Sequence, residues 1–431
     1  MMFLIFLLSI SLYADRPTGA RYLIICPDSF VEIYEPFSEW KNQKGMLSKI
    51  VPLSETGSSS SDIKSYIVDA YETWDPAPEY VLIGAGVQLI EMPSGHSSYY
   101  NCDWRYGEMT GDLYHDIQVG RFPAYSARDC STMVNKVLYY EKNPDATGWL
   151  RKGVTVVRED YDDSDSIYFA NTDSLVADMT AAGFVHIDQF TRAAGSSTSD
   201  IQAALNNGRS FISFRGQGVS DWWSPFGGVN PGSLTNSFKL PVVLSITCQT
   251  INDDISGGDR LGELYMKAGT PSNPTGGIAF YATSTVISHG AHLRGEVLEG
   301  FSRAYFSPDN NDMGIAAEEG RLSTFRVYGD SAQYCSHILL GDPEMDIRTD
   351  NPENLIVNHP HVAVIGHATE YHVEVMDEYR HIENALVCLM QGEDIYLYGY
   401  TDDEGRITFD ILPESLDSIT LTVTAKNYYP Y

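Results

Sequence analysis

Two apolar stretches decide the fold of this chain: FISFRGQG, residues 211–218, and PVVLSITC, residues 241–248. Each stretch is a short apolar run that ends at a polar or glycine-rich turn, which predicts a strand buried on both faces of a parallel sheet. In such sheets reactive groups gather where the carboxyl ends of the strands meet the loops. Gln217 and Cys248 each follow a strand end, so we expect them to face one crevice.

The segments around these two stretches alternate between strand and helix. The further strands are predicted at residues 21–26, 47–51, 80–83, 116–122, 154–157, 185–190 and 277–282. The helices between them are predicted at residues 126–141, 168–182, 291–306 and 313–328, with a short one that Ser199 caps and that ends at Asn207. This alternation predicts mostly parallel sheets covered by helices on both faces. We expect two α/β subdomains, residues 19–145 and residues 146–350.

The pattern changes at Asn351. Helical periodicity stops, and short alternating runs follow at residues 371–375, 385–390, 406–409 and 419–423, with a hairpin turn at residues 402–405. Residues 351–431 are therefore predicted to form a small β-sandwich. The chain ends with one strand fewer than a complete sandwich would have, so a truncated domain is an open alternative.

Composition and the N-terminus indicate where the protein works. With 28 Lys plus Arg against 58 Asp plus Glu, the net charge is -30, which disfavours nucleic acid and anionic membranes as partners. Residues 1–14 form an apolar run that ends in Ala14, and this pattern predicts a signal peptide, with an uncleaved anchor as the alternative. No later segment reaches transmembrane length. We expect a secreted or cell-surface protein.

The six cysteines are spread over the chain without CxxC pairs, which argues against a disulfide framework and a zinc ribbon. A bridge between Cys102 and Cys130 stays open at this point. Cys248 could act as a nucleophile if a neighbouring group removes its proton, and backbone N–H groups of a glycine loop could hold the oxyanion that develops. A lone cysteine after an apolar strand is, however, more often a small core residue.

Several motifs of this chain resemble the gingipain family of secreted cysteine peptidases, within the caspase-like clan. In that family one strand ends in Gly-His-Gly and a second ends in Ala-Cys about thirty residues later, and this chain has Gly216-Gln217-Gly218 and Thr247-Cys248 there. The resemblance continues in FSEWKNQKG (37–45), residues 80–84, VGRF (119–122), PTG (274–276) and HILLGDPEMD (337–346). It implies a caspase-like catalytic domain of two α/β subdomains with an immunoglobulin-like C-terminal domain, and protein or peptide substrates.

The resemblance also implies roles for individual residues. Cys248 matches the nucleophile, and Gly218 together with the Cys248 N–H matches the oxyanion-binding turn. Asp160, with Glu159 as the neighbouring candidate, matches the acidic residue that supports the family histidine. The loop at residues 283–293 resembles the wall of the pocket for the residue before the scissile bond; it carries His289, His292 and Leu293, and the family's arginine-selecting aspartate falls near Asn171 and Asp173.

The departure from the family concerns the histidine itself. Gln217 stands at its position, and an amide does not titrate in the useful range, so it cannot act as general acid or base. Two hypotheses follow. The first is a secreted gingipain-like cysteine endopeptidase of low activity; the second is an inactive homologue that binds or scaffolds, with a structural surface protein as a third, weaker alternative.

Metals and cofactors enter only through the resemblance. The chemistry of a cysteine peptidase requires no cofactor. Relatives bind structural calcium, and the acidic loops at residues 159–165 and 252–254 offer oxygen ligands for it. Solvated acidic loops without an ion are the alternative.

Overall fold

The computed structural model of the protein describes residues 19–95, 100–159, 161, 163–219, 222–224, 229–286, 290–308, 312–392 and 394–431. The predicted signal peptide lies outside the described residues, and so do two predicted site residues, Asp160 and His289. Among the described helices, none is both long and apolar enough to cross a membrane.

One ten-stranded sheet forms the centre of the molecule. Its strands are β1 (Tyr22–Cys26), β2 (Ser48–Pro52), β3 (Tyr80–Ile83), β4 (Gln118–Arg121), β5 (Lys152–Val157), β6 (His186–Thr191), β7 (Phe211–Arg215), β10 (Val242–Ile246), β13 (Ala279–Thr283) and β14 (His337–Leu340). Four short strands lie outside it and pair as two ribbons: β8 (Gln217–Val219) with β9 (Trp222–Ser224), and β11 (Gly269–Thr270) with β12 (Asn273–Pro274).

The strand order in the sheet is β2-β1-β3-β4-β14-β13-β10-β7-β5-β6. Every neighbouring pair is parallel except β13 and β14, which are antiparallel. The sheet therefore consists of two parallel halves that run in opposite directions and meet at this pair. Every residue of β7, β10 and β13 is buried, as expected for strands covered by helices on both faces. The predicted α/β class is confirmed.

Eleven helices are described: α1 (Val31–Gln43), α2 (Leu53–Thr56), α3 (Ser60–Thr73), α4 (Trp104–Gly107), α5 (Ala127–Lys142), α6 (Ser164–Ala181), α7 (Thr198–Asn206), α8 (Leu261–Lys267), α9 (Ala291–Tyr305), α10 (Met313–Tyr328) and α11 (Ser331–Tyr334). The prediction that Ser199 caps the short helix is wrong. Ser197 is the N-cap of α7, and its side chain and that of Asp200 bond reciprocally to the two backbone N–H groups. Both serines lie just before the apolar face of the helix, so the residue spacing did not decide which of them is the N-cap.

The C-terminal domain is a β-sandwich of two three-stranded antiparallel sheets. Its strands are β15 (Ile356–Asn358), β16 (Thr369–Met376), β17 (Leu386–Gln391), β18 (Ile395–Tyr400), β19 (Arg406–Ile411) and β20 (Thr420–Thr424), in the orders β15-β16-β19 and β18-β17-β20. The domain has its own apolar core and contacts the α/β part through buried Arg348. This guanidinium donates to the carbonyl oxygens of Glu141 at 3.0 Å and of Tyr428 at 2.9 Å.

A buried cluster of charges lies between the helical layer and the sandwich. Lys41 of α1 and Lys44, which directly follows the helix, meet the carboxylates of Glu141, Asp342 and Glu344. The Nζ of Lys41 lies 2.6 Å from Oδ2 of Asp342, and both side chains are fully buried. Although burial alone would raise it, the two ammonium groups lower the pKa of Glu141 to about 2. The stretches 37–45 and 337–346, distant in sequence, therefore meet in one ion-pair network.

His337 of β14 is held in its neutral form inside the protein. Its Nδ1 donates to the backbone oxygen of Gln333 at 3.0 Å, and its ring stacks on Tyr281 at 5.4 Å between centroids. Burial lowers the pKa of His337 to about 3, against the bond to Gln333 that favours the charged form, and the cations of Arg294 and Arg321 lower it further.

This pKa makes stability depend on pH through one residue. An unfolded histidine binds a proton below about pH 6.5, whereas the folded one does not until about pH 3, so acid favours the unfolded chain in that window. Between pH 7 and pH 5, we expect wild type to lose about 2 kcal/mol more unfolding free energy than His337→Phe. Urea denaturation of both proteins at the two pH values measures this. Equal losses would contradict the prediction, since the other titrating groups are shared.

Candidate active site

The ends of β7 and β10 lie side by side in the structure. The two strands are parallel neighbours, with Arg215 opposite Ile246. Just beyond these residues, the hydroxyl of Thr247 donates to the backbone oxygen of Gly216 at 2.8 Å. Gln217, at the start of β8, and Cys248 directly follow Gly216 and Thr247 and therefore lie at the same edge of the sheet.

The two glycines on either side of Gln217 are required by close contacts. Gly216 has φ +149°, and a Cβ there would lie 2.4 Å from the Cβ of Arg158. A Cβ on Gly218 would lie 2.4 Å from Cγ2 of Thr247 and 3.0 Å from the carbonyl oxygen of Cys248. Any side chain at either position would collide with these neighbours. The backbone at Gly218 consequently packs directly against the residue predicted to be the nucleophile.

Cys248 differs from the other cysteines. All six lie in the described part of the chain and are free, so the alternative of a bridge between Cys102 and Cys130 is not realised. Five are buried, and Cys248 alone is partly exposed. Burial raises the pKa of the thiols of Cys26, Cys130, Cys335 and Cys388 to about 12. The residue after Cys248, Gln249, has φ +46°, a conformation that non-glycine residues adopt rarely and often at functional sites.

An arginine that the sequence analysis did not consider contacts the thiol. Arg294, in the first turn of α9, donates from Nη1 to Sγ of Cys248 at 2.8 Å. Its side chain is only 3% exposed. The guanidinium thus places a positive charge directly against the sulfur of the predicted nucleophile. The two residues are 46 positions apart in the chain. The one sequence feature that could have indicated Arg294 is its place directly after the predicted pocket-wall loop.

Gln217 is exposed, and its amide faces a cation. Its Oε1 accepts a hydrogen bond from Nη1 of Arg158. This contact orients the amide, but it supplies no group that could exchange a proton with substrate. The one described histidine of the predicted pocket wall, His292, is exposed and packs edge-on against Tyr328 at 5.0 Å. In the described part of the chain, Arg294 is the hydrogen-bonding partner of the Cys248 sulfur.

The acidic candidate Glu159 is directed to another part of the molecule. It is buried, and its Oε2 accepts from the backbone N–H of Ala193 in the loop between β6 and α7. The described structure therefore does not bring the Glu159 carboxylate to Gln217. A glutamine has no imidazolium for a carboxylate to stabilise, which removes the physical reason for such a contact.

The two candidates for the specificity pocket lie in different surroundings. Asp173 is exposed on α6 and has no hydrogen bond to any described residue. Asn171 is buried, and its Oδ1 accepts from Nη2 of Arg215 at 3.1 Å. The same Nη2 donates to the backbone oxygen of Ala291 at 2.9 Å, and the guanidinium lies 4.9 Å from the centre of the Tyr168 ring. Arg215 was a further residue that the sequence analysis missed.

Comparison with known proteins agrees with this architecture. The model of peptidase family C25 matches residues 15–348. Gingipain R2 of Porphyromonas gingivalis (strain ATCC BAA-308 / W83) is 24% identical over 432 residues, which cover 96% of this chain and 56% of that protein. Lys-gingipain W83 of the same species is 26% identical over 151 residues, 33% of this chain and 9% of that protein. The chain thus spans about half the length, or less, of the curated relatives it matches.

Solved structures show the same fold. The crystal structure of the Arg-specific cysteine proteinase gingipain R superposes with a TM-score of 0.82 at 21% identity, covering 96% of each chain. The complex of the pro- and mature domains of Porphyromonas gingivalis RgpB gives 0.83 at 23% identity, covering 95% of this chain and 98% of that one. The predicted combination of a mostly parallel α/β part with a C-terminal β domain is confirmed. With its family model matched over most of its length, the chain belongs to peptidase family C25, the gingipain-type cysteine peptidases.

Proposed function

We propose that this protein is a secreted, gingipain-like cysteine endopeptidase that cleaves peptide bonds through the Cys248 thiolate with low turnover. The observation that carries the proposal is the environment of this thiol: it is the partly exposed cysteine of the chain, it follows a sheet strand, and a guanidinium lies 2.8 Å from its sulfur. Buried structural thiols have neither the access nor the cation that a nucleophile needs.

In the proposed reaction the Cys248 sulfur attacks the carbonyl carbon of the scissile peptide. The backbone N–H of Cys248 and the turn at Gly218 receive the oxyanion. The C–N bond then breaks, and the amine must leave with a proton. Gln217 cannot supply this proton, so water serves as the acid and acylation is slow. Water finally hydrolyses the thioester, which frees the carboxylic acid and the thiol.

Cys248→Ala tests the proposal. We expect iodoacetamide to alkylate wild type at Cys248 and none of the buried cysteines in the folded protein, as located by peptide mass spectrometry. Slow hydrolysis of a protein substrate should disappear in Cys248→Ala and persist in Cys335→Ala, which removes a buried thiol. Rates should fall by about 10³-fold or more, the cost of losing a nucleophile.

The competing function is a binding protein that has kept the cleft and lost the chemistry. The exposed amide of Gln217 on Arg158 favours it, because this pair can only hold a ligand by hydrogen bonds. A protein that neither alkylates at Cys248 nor hydrolyses any substrate, yet binds peptides, would support the binding function and contradict the peptidase.

Structural calcium stays a prediction, and one of the two loops predicted to bind it, residues 252–254, is fully described. Oδ1 of Asn252 accepts from the N–H of Asp254, and Oδ1 of Asp254 accepts from Ser256 at 2.9 Å. The Asp253 carboxylate turns instead to the N–H of Asn101 at 3.1 Å. These oxygens already accept hydrogen bonds from local partners, with which a calcium ion at this loop would compete. We assign calcium no role in the reaction.

A further inference from the structure

Two buried arginines lie near the proposed nucleophile, and neither touches a carboxylate in the described part of the chain. Arg215 is 1% exposed and Arg294 is 3% exposed. Neither forms a salt bridge with a described residue, and the Nε of each is buried without a hydrogen-bonding partner. By contrast, buried Arg121 meets Asp103 through two bonds of 2.7 and 2.8 Å. Buried charges are normally paired in this second way. In the described part of the chain, Glu299 is the carboxylate that acts on Arg215, but it does so from beyond Asn171, whose Nδ2 donates to its Oε1 at 2.8 Å.

Arg215 lies beside Asn171, one of the two residues that the family resemblance places near the pocket for the residue before the scissile bond. Its guanidinium takes up the acceptor oxygen of Asn171, the carbonyl oxygen of Ala291 and the face of Tyr168. Burial lowers the pKa of Arg215 to about 10, and Arg294 contributes to this shift by repulsion, whereas Tyr168 and Glu299 act against it. A third cation entering the cleft would meet the same repulsion, and it would find a neutral amide whose oxygen is already bonded.

The donors of Arg294 are, in contrast, only partly used. Nη1 bonds to the Cys248 sulfur at 2.8 Å, and Nη2 has only a long contact of 3.4 Å with the carbonyl oxygen of Thr285. A guanidinium can hold a carboxylate by two parallel hydrogen bonds, a geometry that amines and amides do not offer. An acidic side chain reaching this position would complete a partnership that the free protein leaves open.

We propose that the cleft at Cys248 selects an acidic side chain, aspartate or glutamate, immediately before the scissile bond, with Arg294 as the specificity-determining residue and Arg215 excluding basic side chains. The inference rests on the proposed function, because a side chain before the scissile bond is defined only if Cys248 cleaves peptides. It differs from the arginine specificity that is named for gingipain R.

The test uses three peptidyl acyloxymethyl ketones that are identical except for Asp, Ala or Arg beside the reactive ketone. We expect Cys248 of wild type to be labelled at least tenfold faster by the Asp probe than by the Arg probe, with the Ala probe between them. Arg294→Gln should reduce the Asp-to-Arg ratio to about one, and Arg294→Lys should retain part of it. The control Arg326→Gln removes an exposed arginine paired with Glu319 on α10 and should leave the ratio unchanged.

The ratio, rather than the rate, is the readout, because Arg294 also contacts the thiol. Iodoacetamide, which carries no side chain, reports the general reactivity of Cys248 in each variant. Fastest labelling by the Arg probe, or the same ratio in Arg294→Gln as in wild type, would overturn the inference while leaving the peptidase function intact.

A binding measurement keeps the inference testable if the chemistry fails. If no probe and no iodoacetamide labels Cys248, the proposed function fails. Fluorescence anisotropy with Cys248→Ala and dye-labelled peptides ending in Asp, Ala or Arg then measures which side chain the cleft prefers, independently of any catalysis. Tighter binding of the Asp peptide supports an acid-selecting cleft, and tighter or equal binding of the Arg peptide contradicts it.

Discussion

Replacing Gln217 with histidine is expected to raise kcat/KM for peptide hydrolysis at least tenfold, towards the 10²- to 10⁴-fold that a general acid or base typically contributes. Position 217 already lies between two glycines at the same sheet edge as Cys248. Imidazole there could take the thiol proton and return it to the leaving amine. The neighbouring Arg158 cation would favour its neutral form, which is the form that accepts a proton at pH 7.

The control for this variant is Gln217→Asn, which keeps an amide and should show no gain. The substrate should carry whichever residue labels Cys248 fastest in the probe experiment, so that specificity does not hide the effect. A gain through imidazole also adds a titration near neutral pH to the rate profile of Gln217→His. Unchanged turnover together with an unchanged pH profile would show that a missing histidine is not what limits this site.

Replacing Lys41 with methionine is expected to lower the free energy of unfolding by about 3–5 kcal/mol, the range measured when one partner of a buried ion pair is removed. Lys41 is fully buried, lies 2.6 Å from the Asp342 carboxylate and also contacts Glu141 and Glu344. Methionine fills similar volume, so the loss reports uncompensated charge rather than a cavity. Urea denaturation at pH 7 measures it.

The matched control is Lys49→Met. Lys49 pairs with Glu55 at 3.1 Å, but both side chains are more than 40% exposed, and exposed pairs contribute about 0–1 kcal/mol. A loss below about 1 kcal/mol for Lys41→Met would mean that the carboxylates take up protons readily and that the network contributes little to stability. Because protons could replace the lost cation, the difference between Lys41→Met and wild type should also shrink at pH 5.

Much of the fold could be predicted from the sequence because it depends on local patterns. The helix predicted at residues 313–328 is α10 with the same limits, and the apolar runs at 211–214 and 242–246 are fully buried strands. Periodicity and turn residues act within one element and so can be read from its residues alone. The position of β14 between β4 and β13 could not be predicted from the sequence, because it depends on contacts between segments far apart in the chain.

The candidate site, like the fold, has features that the sequence could predict and features that it could not. By itself, the sequence determined which residues follow the strand ends, and hence that Cys248 and Gln217 share an edge. That Gln217 replaces a family histidine stays a prediction from the resemblance. Only the tertiary structure decided that Arg294 bonds to the thiol, that Glu159 faces Ala193, and that Arg215 fills the space beside Asn171. Strand ends are positioned by hydrogen bonds of regular geometry, which a local pattern encodes. The long side chains that reach these ends from other elements are positioned by packing across 34 to 46 residues of chain, which no local pattern encodes.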